Sequence, residues 1–192
     1  MRKKLLISFF IFISLNTFSQ IDENFKAGVE VIASNKIAAY KNPSSILFVF
    51  EGYTDGINNL LDLKKRIEKR FKKSLKKEFH SFKIGFNYNL KHSDSSKTDL
   101  KSIPLKEFDP AQFETLCYIS LSNFQIKNDN PPIVFERNYK PYKINYHLNI
   151  ELKERETEKT NLNLKLNVCA FKTILTQNKN SAKLIYEHIM EK

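Results

Sequence analysis

Residues 45–90 read SILFVFEGYTDGINNLLDLKKRIEKRFKKSLKKEFHSFKIGFNYNL, and this stretch decides the fold. Ser45 to Phe50 is a compact apolar run with Pro43 before it and Gly52 after it. That pattern suits a strand buried on both faces, expected at the centre of a sheet. After the turn from Glu51 to Gly56, Leu60, Leu63, Ile67, Phe71 and Leu75 recur at three- and four-residue steps, which predicts a long amphipathic helix from about Ile57 to Phe79. Phe82, Ile84, Phe86, Tyr88 and Leu90 then alternate with polar or small residues, the period of a half-buried strand. Strand, helix and strand make a right-handed βαβ unit.

Downstream, Asp109-Pro110-Ala111-Gln112 is a helix start, with Asp able to cap, Pro at the first helical position, and Phe108 and Phe113 able to staple. The next residues fit either a helical stripe or a strand. One short turn followed by a strand through about Ile126 is favoured because Cys117, Ile119 and Leu121 alternate with Tyr118, Ser120 and Ser122. Ile144, Tyr146, Leu148, Ile150 and Leu152 mirror Leu162, Leu164, Leu166, Val168 and Ala170 across a charged connection, which predicts a long antiparallel hairpin. A helix from about Asn180 to Met190 closes the chain, burying Leu184, Ile185 and Ile189. Upstream, Asp22 to Tyr40 places Phe25, Val29, Ile32, Ala33 and Ile37 at helical spacing, against the competing alternation of Val29-Glu30-Val31. It is taken as a helix. Polar stretches at His92–Lys97, Lys127–Asn130, Lys153–Lys159 and Thr176–Ser181 are expected as loops within one domain. The expected architecture is α/β with α+β character: a single three- to five-stranded mixed sheet with a βαβ unit, a long C-terminal hairpin and a terminal helix on one face.

The first nineteen residues carry an address. Arg2, Lys3 and Lys4 precede an apolar core from Leu5 to Leu15 and a Thr17-Phe18-Ser19 exit, the pattern of a cleaved secretory signal. The apolar run is shorter than the roughly twenty residues needed to span a bilayer, so residues 20–192 are expected as one soluble, exported domain without a transmembrane span, periplasmic or extracellular. A lipid anchor would need a cysteine just after the cleavage point, whereas the first cysteine is Cys117. Cys117 and Cys169 fit neither a CxxC nor a zinc-ligand spacing. They fall on opposite faces of their strands, so two thiols are expected rather than a bridge. The chain is basic, at +11. An AT-rich coding sequence favours lysine, yet a positive surface also suits an anionic partner.

The charge is concentrated on the long helix. Lys64, Lys65, Arg66, Lys69, Arg70, Lys72, Lys73, Lys76 and Lys77 surround the apolar stripe, and such a helix can adsorb to an anionic membrane surface or dock an acidic protein. The expected contact residues are Lys65, Arg66, Lys69, Arg70, Lys72, Lys73, Lys76 and Lys77. The turn from Glu51 to Asp55 sits where open α/β sheets place ligand sites, but it lacks a phosphate-binding glycine pattern and its carboxylates repel phosphate. His80, His92, His147 and His188 are scattered without metal-ligand spacing, and His147 stands on the polar face of the hairpin. No catalytic residue, cofactor or metal is assigned. Tyr139-Lys140-Pro141-Tyr142-Lys143 has a composition able to stack on sugar rings. No nucleic-acid motif is present.

The order of elements resembles the small periplasmic α/β modules of envelope-assembly proteins, such as the amino-terminal domain of TolB and the CsgG-like proteins. The likeness is carried by the strand from Ile46 to Phe50, the strand Tyr118-Ile119-Ser120-Leu121, and the final hairpin plus helix. It implies an envelope setting and transfers no functional residue. The expected function is an exported, non-enzymatic binding or envelope-associated module that contacts an anionic envelope component or an acidic protein through the basic helix. The alternatives are a small extracytoplasmic hydrolase working near Glu51, Asp55 or His147, and a secreted toxin or immunity-type partner. Oligomeric state is not read from the sequence.

Overall fold

The computed structural model describes residues 26–38, 40–53, 57–91, 107–127, 143–171 and 173–190. Residues 1–19, expected as a secretory signal, and Asp55, His92 and Tyr139–Tyr142 lie outside them. The elements run β1 (Gly28–Lys36), β2 (Ser45–Tyr53), α1 (Ile57–Leu75), β3 (Lys83–Lys91), β4 (Thr115–Lys127), β5 (Lys143–Glu154), β6 (Thr160–Phe171) and α2 (Asn178–Met190). The six strands form one mixed sheet in the order β1-β6-β5-β4-β2-β3. No helix among the described residues is long and apolar enough to cross a membrane.

β2 is parallel to both of its neighbours, β3 and β4, while β4, β5, β6 and β1 follow one another antiparallel. β2 therefore lies second from one edge rather than at the centre, and it is an apolar run because helices cover one face and Leu47 is buried on the other. The hairpin pairs in the register its mirrored pattern implies, with Ile144 opposite Ala170, Leu148 opposite Leu166 and Leu152 opposite Leu162. All six of those side chains are buried, as the two-residue period places them on one face.

Three further expectations are corrected. The first concerns Asp22–Tyr40, whose described part forms strand β1 instead of a helix, so the sheet has six strands rather than three to five. β6 would otherwise expose a full row of backbone donors and acceptors, and the Val29-Glu30-Val31 alternation fits the pairing that covers them. Ile32 falls at the register shift between Val31 and Ala33, which breaks the strand's alternation. The second concerns the long helix, which ends at Leu75 and continues as a 3-10 stretch, Lys76–His80, because Lys76 adopts φ +50°. The third concerns Thr176–Ser181, which is helical, not a loop. Thr173 accepts the backbone N–H of Leu175 at 3.4 Å to start a 3-10 turn that runs into α2. The strap before β4 does form one short turn, capped by Asp109 through a 2.9 Å bond from the Ala111 N–H.

Both helices lie against one face of the sheet. Phe71 of α1 meets Phe48 edge-on at 5.8 Å between ring centroids and Tyr186 of α2 at 4.9 Å, and Phe48 stacks on Phe86 at 5.4 Å. Over β4, β5 and β6 the opposite face is left uncovered by the other described elements. At the β2–β3 end it is covered by the strap, held because Asn87 donates to the Phe108 carbonyl at 2.8 Å and accepts from its N–H at 2.9 Å.

Gly85 makes room for that strap. A Cβ there would stand 2.6 Å from Cζ of Phe113 and 2.9 Å from Cδ1 of Leu47. Gly85→Ala should therefore destabilise the fold by about 1–3 kcal/mol through overpacking. In urea titration this appears as a lower midpoint at an unchanged slope. An unmoved midpoint would mean that Phe113 yields without cost.

Candidate functional site

The face of α1 that points away from the sheet is built by its own period. Leu60, Leu63, Ile67 and Phe71 are buried to within 1%, each contributing about 1.5–3 kcal/mol. At 3.6 residues per turn, Lys65, Lys69 and Lys72 then form a row on the opposite side, roughly 10 Å long at 1.5 Å per residue, and Lys76 follows in the 3-10 stretch beyond the helix end. Lys73 and Lys77 flank the row, and all six lysines are exposed. From Ile57 to His80 nine Lys and Arg stand against Asp62, Glu68 and Glu78, which leaves +6 of the chain's +11 on this segment.

The eight expected contact residues do not all behave alike. Arg66 lies 3.4 Å from Asp62 one turn earlier, an exposed pair of small energetic weight. Arg70 turns sideways to Glu187 of α2 at 3.1 Å, with its guanidinium 5.4 Å from the Tyr186 ring, so it fastens the two helices instead of joining the row. Buried Asn178 adds a second fastening, donating to the Asn59 side chain at 2.8 Å and to Asp62 at 3.0 Å. Lys65, Lys69, Lys72, Lys73, Lys76 and Lys77 make no ion pair among the described residues.

The open face of the sheet, which includes the polar face of the hairpin, carries a second arrangement. Strand register sets Glu51, Ser120, Asn149 and Lys165 side by side along one rung. Tyr118, Glu151, Asn163 and Asn35 form the next. A recess of about 360 Å³ opens between them. Glu151 is tied down, accepting from Thr160 at 2.9 Å and pairing with Lys153 at 3.2 Å. Asn149 donates to Ser122 at 2.9 Å, which fixes its amide and leaves its oxygen toward other donors. Glu51 and Lys165 have no ion pair among the described residues. The signal that pointed here was the polar half of the hairpin alternation.

Glu51 and His147 share this face but stand two strands and one pleat repeat apart, roughly 12 Å between backbones at the usual sheet spacings. No hydrogen bond joins them among the described residues. Burial first, and the nearby Lys165 ammonium second, hold the His147 imidazole below its ordinary value. Cys117 faces the helices, fully buried, with its thiol pushed far up by desolvation. Cys169 faces the open side two strands away, where its thiol donates to the Asn145 side-chain oxygen Oδ1 at 3.6 Å, and the two cysteines are not bridged. No group of three or more His, Cys, Asp or Glu side chains gathers among the described residues.

No protein-family model matches the chain, and no curated protein matches it in sequence. Among solved structures, it is similar to the PelC dodecamer from Paraburkholderia phytofirmans in crystals of space group P6. The TM-score is 0.50 at 6% identity, over 85% of this chain and 99% of that one. A point variant of the same PelC, in space group C2, gives 0.48 at 6% identity over the same shares. At that identity the likeness is one of fold.

The His147 environment gives a pH-dependence with a definite sign. Because its folded value lies below the ordinary 6.5, the unfolded chain takes up the proton first, so this group costs stability as pH falls below about 6.5. Removing the neighbouring charge with Lys165→Gln should raise the imidazole titration, read from its C–H resonances by NMR. An unmoved midpoint would leave burial as the sole cause.

Proposed function

We propose that the chain is an exported, non-enzymatic binding module that adsorbs to an anionic envelope surface through the outer face of α1. One observation carries this: six unpaired lysines stand in and beside a row whose opposite side is locked into the core. Packing of Leu60, Leu63, Ile67 and Phe71 against the sheet argues against insertion of the apolar stripe into lipid, since insertion would empty the core. Electrostatic adsorption leaves the fold intact. Near an anionic surface each Lys or Arg contributes about 1 kcal/mol, and the attraction fades within a Debye length. An acidic protein of the envelope offers the same charge on a less extended surface. The spread of exposed lysines from Lys65 to Lys77, over both the helix and the 3-10 stretch, favours the extended one.

The test is co-sedimentation of residues 20–192 with isolated bacterial envelopes at low and high salt. Pelleting at low salt that high salt reverses is expected. Reversing Lys65, Lys69, Lys72 and Lys76 to Glu should weaken it about a thousandfold, from four contributions of about 1 kcal/mol each. Exposed as they are, the four changes should each leave stability within about 0.5 kcal/mol. Binding unchanged by the reversal would remove the proposal. Binding abolished by protease treatment of the envelopes would move it to an acidic protein.

A further inference from the structure

We propose that the recess on the open face of the sheet is a binding site for a short, uncharged oligosaccharide, independent of the basic face of α1. The recess of about 360 Å³ falls within the range of small-ligand sites, toward its lower end. Its lining selects the ligand class. Ser120, Asn149, Asn163 and Tyr118 present hydroxyl and amide groups, which donate and accept alike. Sugar hydroxyls do the same, so each can be matched without a fixed proton direction. The Tyr118 ring supplies the apolar surface a sugar's C–H face requires, and Lys153 stands 5.5 Å from the ring and limits stacking to one side.

Charge excludes the competing classes. Glu51 and Lys165 sit at opposite ends of one rung, three strand spacings or roughly 14 Å apart. They balance, and Glu151 is already neutralised by Lys153. A phosphate or carboxylate would find no net positive charge, since Lys165 is matched by Glu51 and Lys153 is spent on Glu151. A bare cation would meet Lys165. An extended peptide adds to a sheet edge, whereas the recess lies on the face of the sheet and is lined mostly from interior strands β2, β4, β5 and β6. The span of the rung fits two or three linked rings with polar ends, one end donating to Glu51 and the other accepting from Lys165. Since α1 lies against the other face of the sheet, a molecule adsorbed by its lysines keeps the recess open to solution.

Cellobiose, maltose and N,N′-diacetylchitobiose titrated into the isotopically labelled protein, followed by amide NMR, test this. The expected result is saturable shifts at Glu51, Ser120, Asn149, Asn163 and Lys165 for at least one of the three. Glu51→Gln and Asn149→Ala should each weaken that binding about tenfold, the loss of one hydrogen bond to a charged or buried polar group. The fourfold charge reversal on α1 should leave it unchanged, which separates this site from envelope adsorption. Absence of saturable shifts with all three sugars, or shifts confined to α1, would overturn the proposal.

Discussion

Burial of one stripe of α1 is the constraint on which the rest of the molecule depends. The helix joins two parallel, adjacent strands, so it must cross the face they share, and its apolar residues must be those that meet Phe48, Phe50 and Phe86. Once Leu60, Leu63, Ile67 and Phe71 are committed inward, the helical period turns Lys65, Lys69, Lys72 and Lys73 outward. The charge of the outer face follows from packing of the inner one. α2 enforces the same orientation from the side, through Tyr186 against Phe71 and the Arg70–Glu187 pair.

The sheet divides the molecule by a different period. Alternate residues of β4, β5 and β6 go to the helices, and the remainder make an open face of amides, hydroxyls and a few charges. The two faces have unlike chemistry: a positive helical layer with few acids, and a nearly balanced polar surface with a recess. Partial cover by the 107–113 strap, seated over Gly85, closes the end of the open face nearest β3 and leaves the recess over the antiparallel half.

Local pattern revealed the elements whose core contacts are periodic along the chain. The β5–β6 hairpin repeats its apolar residues five times per strand, and α1 carries its stripe through four turns, so both were legible. β1 was not. It is an edge strand with Val31 and Ile32 at 40% and 48% exposure, so its alternation is not enforced by burial, and its conformation is set by the open edge of β6 more than 120 residues away. The basic row was legible because it lies on one helix. Arg70 left it for a partner in α2, a contact that only the tertiary structure brings about. The recess was illegible as a unit, since Glu51, Ser120, Asn149 and Lys165 become neighbours through the register of four strands. Each alone resembles a solvated polar residue.

The central claim is that α1 keeps its stripe in the core while its lysines engage an anionic surface. Amide hydrogen exchange of α1 and of β2 beneath it, with and without anionic vesicles at low salt, tests this directly. Slow exchange from Leu60 to Phe71 that adsorption leaves unchanged is the predicted result. Faster exchange in β2 on adsorption, together with retained protection in α1, would mean that the helix has left the sheet for the lipid, and would contradict the account.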